Sequence, residues 1–313
     1  MKVSELKIGD TSIRNNVFLA PMAGFTDYSF RKLVLPMGVG LCFTELTSAK
    51  GLYYGGKNSE TLLYSGDDYD NTAAQIFGSD PYFMRWACES EYLAKYKIVD
   101  INMGCPVPKI VKNGEGSALL SDILKAESVI KESVKSGKII SVKIRTGIKY
   151  GDDIARDFAV MAENAGASFI TIHGRVREAY YSGEPDFAAI EKAKSSVNIP
   201  VIANGGIFTS ADADMMMDKT GADGVMIARG AIADPFIFSK ITGTVPKIKG
   251  MKEFAIKHLD EEIKRIGEKR ASVEFRKFVT YYLKGVENSK SQRLAIMCSE
   301  DVSEIKRILS ETL

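Results

Sequence analysis

Eight short apolar runs recur along the chain, and nearly all of them end in a polar or glycine-rich step. They cover residues 17–20, which lead into Pro21-Met22-Ala23-Gly24, then 41–45, 73–77, 98–102, 140–145, 169–173, 200–204 and 225–229. Their ends fall roughly 25–40 residues apart, the length of one strand, one helix and two loops. Between them the apolar spacing changes to a helical period. Thr26-Asp27 stands before Phe30, Leu33 and Val34, and Ser121-Asp122 before Ile123, Leu124, Val129, Ile130 and Val134, as N-caps stand before helices. Strands alternating with helices predict a parallel sheet, and eight of them suit closure into a (β/α)8, or TIM, barrel. A doubly wound sheet would show G-x-G-x-x-G after its first strand. Residues 23–27 do not fit that pattern. In a barrel the strand C-termini share one face, so the polar run ends predict an active site there.

The rhythm breaks at both ends. Residues 1–16 read as a hairpin with its turn at Gly9-Asp10, able to plug the barrel bottom. Residues 241–250 read as a linker after a barrel of residues 1–240. From 251 to 313 only helical stripes remain: Phe254, Ala255, His258 and Leu259; then Phe275, Phe278, Val279 and Tyr282; then Val302, Ile305, Ile308 and Leu309. The expected architecture is an α/β barrel with a C-terminal all-α helical bundle.

Charge changes the picture in one place. The 313 residues carry a net charge of only +2, yet residues 247–293 hold 13 Lys/Arg against 7 Asp/Glu. This stretch is either an ordinary solvated surface or a docking face for a polyanion. The four cysteines lack metal spacing and there are two histidines, so no metal site is expected. No run approaches the ~20 residues of a membrane span. A cytoplasmic chain, monomeric and with reduced thiols, is the expectation.

The run ends supply the chemistry. Asn204-Gly205-Gly206 and Ala228-Arg229-Gly230 close the last two runs, where barrels often bind phosphate through backbone N–H groups. Lys143 and Arg145 share one side of their strand and belong near the barrel mouth. Lys143 needs an anionic partner, which could be a ligand or a carboxylate such as Glu45 or Asp100. His173 ends a run and is a candidate for the cofactor site. Gln75 can bond a heterocycle edge with both amide atoms. Cys105 opens a long loop stiffened by Pro106 and Pro108, and lies on the functional face. It could act as a general acid or, with a lowered pKa, as a nucleophile.

Taken together, several segments resemble the tRNA-dihydrouridine synthases, most closely their bacterial B-type branch. They are Ala20-Pro21-Met22-Ala23-Gly24 with Thr26-Asp27, Asp100-Ile101-Asn102-Met103-Gly104-Cys105-Pro106, and Gly114-Glu115-Gly116-Ser117-Ala118-Leu119-Leu120. Val142-Lys143-Ile144-Arg145-Thr146-Gly147, Ile172-His173-Gly174-Arg175 and Ile202-Ala203-Asn204-Gly205-Gly206-Ile207 extend the likeness, which continues into Arg276-Lys277 and Tyr281-Tyr282-Leu283-Lys284. One departure is Gly206, where many relatives carry Asp.

The resemblance implies an FMN-binding barrel, NADPH as reductant and a helical domain that helps hold tRNA. It implies that Pro21, Met22, Gln75, Lys143 and His173 attend the flavin ring, and that Asn204, Gly205, Gly206, Ala228 and Arg229 attend its phosphate. Cys105 would protonate C5 of a D-loop uridine while hydride passes from flavin N5 to C6. Asn102 would read the uracil edge. From their strand-exit positions Arg145, Arg175 and Arg177 are expected either to reach RNA phosphates or to form rim salt bridges, and Arg276, Lys277, Tyr282 and Lys284 are expected among the substrate contacts. The competing expectation is an FMN barrel acting on a free pyrimidine, like the dihydroorotate dehydrogenases.

Overall fold

The computed structural model describes residues 1–9 and 11–313. A short antiparallel hairpin, β1 (Leu6–Ile8) and β2 (Thr11–Ile13), precedes the barrel. Gly9 sits in its turn at φ +56°, while Asp10, the other expected turn residue, lies outside the described residues. The barrel strands are β3 (Val17–Leu19), β4 (Cys42–Phe43) with its continuation β5 (Thr47–Ser48), and β6 (Thr72–Phe77). They continue as β7 (Ile98–Asn102), β8 (Ile139–Gly147), β9 (Phe169–Val176), β10 (Val201–Asn204) and β11 (Gly224–Ile227). Neighbouring strands pair in parallel from β3 through β11, β10, β9, β8, β7 and β6 to β4. The ring closes where Leu19 N–H donates to Leu41 O (3.0 Å) and Gly40 N–H to Val17 O (2.7 Å).

These runs are apolar throughout because both sheet faces are buried, one against helices and one inside the ring. The second run forms less strand than its pattern suggests, since regular pairing holds only at Cys42–Phe43 and resumes at Thr47–Ser48. The fifth and sixth run longer, to Gly147 and Val176, with a bulge between Arg145 and Gly147.

Inside the ring, Phe18, Phe43, Ala73, Ile98, Phe169, Ile202 and Met226 form an apolar layer sealed below by Leu6, Ile8 and Ile13 of the hairpin. Above it comes a buried polar layer of Gln75, Asp100, Ser141 and Thr171. The change from apolar to polar filling marks the floor of the functional face. Both expected caps form: Asp27 accepts from Phe30 N–H ahead of helix Tyr28–Val34, and Asp122 from Lys125 N–H ahead of helix Ile123–Val134.

Helices Met251–Ile266, Glu268–Tyr282, Lys290–Cys298 and Val302–Thr312 follow the barrel. They join it through aromatic packing. Phe30 of the barrel stacks on Phe278 (6.1 Å, 12°), and Phe25 meets Phe278 and Tyr281 edge-on (5.4 and 5.6 Å). A buried ion cluster lies alongside. Arg265 Nη2 reaches Glu262 Oε2 (2.6 Å) and Asp27 Oδ2 (3.3 Å), tying the helix cap of the barrel to the helical segment. Burial and the neighbouring Asp27 push the Glu262 carboxyl up to about 7.

Candidate active site

A cavity of about 420 Å³ opens at the C-terminal ends of the strands. This falls within the usual range for cofactor and ligand sites. Its wall gathers Pro21, Met22, Gln75, Asn102, Cys105, Lys143, Arg145, His173, Arg175, Asn204, Gly205, Gly206, Ala228 and Arg229. Strand periodicity explains the convergence, because alternate residues of a barrel strand point inward. Thus Asn102 and Lys143 are register partners, as are Arg145 and His173.

Among the described residues, no wall side chain is acidic. Lys143 Nζ donates to Asn204 Oδ1 (3.0 Å). Asn204 is itself fixed by its Nδ2 donating to Met226 O (2.7 Å). Neither Glu45 nor Asp100 pairs with the lysine. The Asp100 carboxylate instead accepts from Gln75 Nε2 (2.7 Å) and Ser141 Oγ (2.6 Å), and Glu45 accepts from Gly24 N–H. Burial, with the nearby Arg145 charge, lowers the Lys143 ammonium to about 8. The same burial, with the charges of Lys143 and three arginines around it, drives His173 well below its ordinary value, so its ring is neutral. Arg175 Nη1 lies 3.3 Å from His173 Nε2; with the arginine as donor, the ring proton is on Nδ1.

Cys105 is half-buried, and burial raises its thiol. It therefore stays protonated at neutral pH, which suits an acid better than a nucleophile. Its N–H donates to Asn102 Oδ1 (2.9 Å) and its carbonyl accepts from Ser117 N–H (3.1 Å), so the loop folds back on itself.

At the opposite wall Gly205 and Gly206 have φ of +123° and +70°. A Cβ at 206 would stand 2.9 Å from Pro185 Cγ, so the proline occupies the space that a side chain there would need. The residues present fit a ligand with a flat apolar body, an electron-rich polar edge and an anionic end.

Three of the expected RNA contacts are held by protein groups in this structure. Arg145 and Arg175 do not extend toward solvent. Arg145 donates to Gly104 O (2.9 Å), Val176 O (3.1 Å) and Tyr180 O (2.8 Å), and Arg175 to Gly183 O (2.7 Å) and Ser182 O (3.1 Å). They brace the loop carrying Tyr181, whose ring also lies beneath the Arg229 guanidinium (4.8 Å). Tyr282 is no surface contact either. It belongs to the buried stripe of its helix, and its hydroxyl lies 2.8 Å from His258 Nδ1. Tyr281, one position and about 100° around the helix, lines the cavity instead.

The remaining positions lie outside the cavity wall. Lys277 sits near the Gly24 turn, with Nζ 3.9 Å from where a Cβ there would be. Lys284 is exposed, Arg177 half-buried, and Arg276 Nη2 donates to Ser299 O (3.1 Å). Phe25, Tyr181, Phe208 and Tyr281 are wall residues that the pattern did not mark. They come from loops and a helix end, where no period distinguishes a ligand-facing ring from an exposed one.

A family model described as dihydrouridine synthase matches residues 18–313. The chain belongs to the dihydrouridine synthase family. Relatives named tRNA-dihydrouridine synthase B support the same assignment. The one from Pasteurella multocida is 32% identical over 96% of this chain and 93% of its own length. The one from Vibrio cholerae is 34% identical over 92% of both chains. Among solved structures, a variant of NCR from Zymomonas mobilis matches 77% of this chain and 92% of its own at TM-score 0.54 and 15% identity. The amine oxidase HisD from Pseudomonas geniculata matches 90% of this chain and 54% of its own at TM-score 0.59 and 12% identity. These two share the fold. The family is that of flavin-dependent oxidoreductases acting on uridine in tRNA. No helix among the described residues is long and apolar enough to cross a membrane.

Proposed function

We propose that this chain reduces the C5=C6 bond of D-loop uridines in tRNA, with FMN as its flavin and NADPH as reductant, in the cytoplasm. The observation that carries the reading is one acid-free cavity shared by Lys143, the Cys105 thiol and the Gly205-Gly206 turn. When bound, the flavin supplies the hydride, and the protein supplies orientation and electrostatics.

Gly205, Gly206, Ala228 and Arg229 would hold the phosphate, since backbone N–H groups beside residues lacking bulk approach an anion closely. Lys143, without a carboxylate partner, would place its charge at the electron-rich ring edge. Pro21, Met22, Gln75 and His173 would bound the ring. Cys105 gives its proton to C5, and Asn102 bonds the uracil edge. The target base must leave its stack to arrive here. Lys277, Lys284 and Arg276 on the helical segment (residues 251–313), and Arg177 after β9, would carry backbone phosphates, so tRNA binding should weaken steeply with salt.

Incubation with NADPH and unmodified tRNA, followed by position-resolved mapping of dihydrouridine, tests the proposal. Mass spectrometry of the flavin released on denaturation tests FMN. Absence of dihydrouridine, or efficient turnover of free dihydroorotate, refutes it.

A further inference from the structure

A chain of side-chain hydrogen bonds crosses the polar layer beneath the cavity. Asp100 accepts from Ser141 Oγ (2.6 Å) and Gln75 Nε2 (2.7 Å). Gln75 Oε1 accepts from Asn102 Nδ2 (3.0 Å). Asn102 Oδ1 accepts from the N–H groups of Gly104 (3.2 Å) and Cys105 (2.9 Å). The chain runs over three adjacent strands, with Gln75, Asp100 and Ser141 as direct register partners.

Its direction is fixed at both ends. An ionised carboxylate only accepts, and backbone N–H groups only donate. Between such ends each amide has a single orientation that leaves no donor facing a donor. Asp100 is fully buried and hydrogen-bonds only neutral side chains; burial raises it to about 6 against the opposing pull of those bonds and of the Lys143 charge. Keeping a carboxylate in a barrel core without a hydrogen-bonded cation is costly. An apolar residue would fill the layer at lower cost if packing were all that mattered.

We propose that Asp100 is a positioning residue: its carboxylate orients Gln75 and through it Asn102, so that both amides turn their remaining N–H toward the cavity and the Cys105 loop stays docked. The inference rests on the reading of the cavity as a uridine site. The cavity floor then offers donors, which suit the carbonyl oxygens of uracil and oppose the amino group of cytosine. The same chain couples base recognition to acid placement, because one Asn102 side chain serves both.

The test compares Asp100→Leu and Asp100→Asn in the holoenzyme. Asn keeps an acceptor for Gln75, whereas Leu keeps only the shape. In Asp100→Leu, uridine reduction by the pre-reduced enzyme, measured per bound flavin, should fall about ten- to a hundredfold. Asp100→Asn should restore that step to within about threefold. A tRNA carrying cytidine at the target position should compete more effectively against Asp100→Leu than against wild type.

Wild-type uridine reduction by Asp100→Leu overturns the proposal. Equal failure of Asn and Leu also overturns it, because that outcome signals a general structural role. Should Asp100→Leu not fold, Gln75→Met severs the same chain one residue on. Uridine reduction per bound flavin must then fall comparably, and a wild-type rate overturns the proposal. Failure of the wild-type protein to make dihydrouridine would instead refute the proposed function.

Discussion

Replacing Lys143 by Met keeps an unbranched side chain one atom shorter and removes its charge. In the ligand-free protein burial lowers the ammonium from 10.5 to about 8. That difference is worth about 3 kcal/mol, the net cost of holding the buried charge beside Arg145 without a hydrogen-bonded anion. A ligand that supplies the partner returns the group toward its ordinary value, so binding takes up a proton between about pH 8 and pH 10.5. Affinity must then fall as pH rises through that window, because more of the free protein has lost the proton that the complex needs. The largest possible change is about three-hundredfold. The assay is fluorescence titration of FMN into the apoproteins from pH 7 to pH 10. Ionisation of the flavin itself is common to both proteins and cancels in the ratio of their dissociation constants. The wild-type advantage should be largest at pH 7 and shrink steadily above pH 8. A ratio that stays flat across the range refutes the argument, since Lys143 would then not be sensing the ligand's charge.

Cys105→Ala should retain flavin and its reduction by NADPH but lose about 10²- to 10⁴-fold in uridine reduction; unchanged single-turnover rates on tRNA would contradict its role as acid. Phe278→Ala removes a fully buried ring that touches Phe25, Phe30, His258 and Tyr282. It should cost about 3–5 kcal/mol in urea unfolding; a loss below about 1 kcal/mol would show that the barrel and the helices do not share a core. Glu262 has its carboxyl raised from 4.5 to about 7, so the native state holds more protons than the unfolded chain across that window. Its contribution to stability is therefore greatest below about pH 4.5 and is lost as pH rises through 7. Glu262→Gln should accordingly gain on wild type between pH 5 and pH 8, and equal melting-temperature differences at the two pH values would rule this out.

The barrel was legible because its strands are buried on both faces and read as apolar runs whose ends fall at a regular interval. The strand residues of the wall, Asn102, Lys143, His173 and Asn204, were legible for the same reason: strand parity assigns a side chain to a side, while Cys105 was marked by the loop that follows its strand. Arg145 and Arg175 were placed correctly on the wall, but a sequence pattern does not say what a long guanidinium reaches, and both turn to loop carbonyls. Tyr282 shows a different limit. Adjacent tyrosines on a helix face nearly perpendicular directions, and the buried stripe through Phe275, Phe278 and Val279 already assigns Tyr282 inward. The polar layer of Gln75, Asp100 and Ser141 had only a faint signal, single polar residues inside otherwise apolar runs. Helix Lys290–Cys298 had none, since only Ile296 of it is buried.

Phe25 borders the cavity on one side and the rings of Phe278 and Tyr281 on the other. A single aromatic side chain thus belongs to the cavity wall and to the seam that attaches the last fifth of the polypeptide. The two parts are not interchangeable modules. Trimming the C-terminal helices would strip one wall from the reaction chamber, and transplanting them onto another barrel would fail unless the loop bearing Phe25 travelled with them. Members of the family are therefore expected to vary the outer faces of these helices while keeping the shared seam intact.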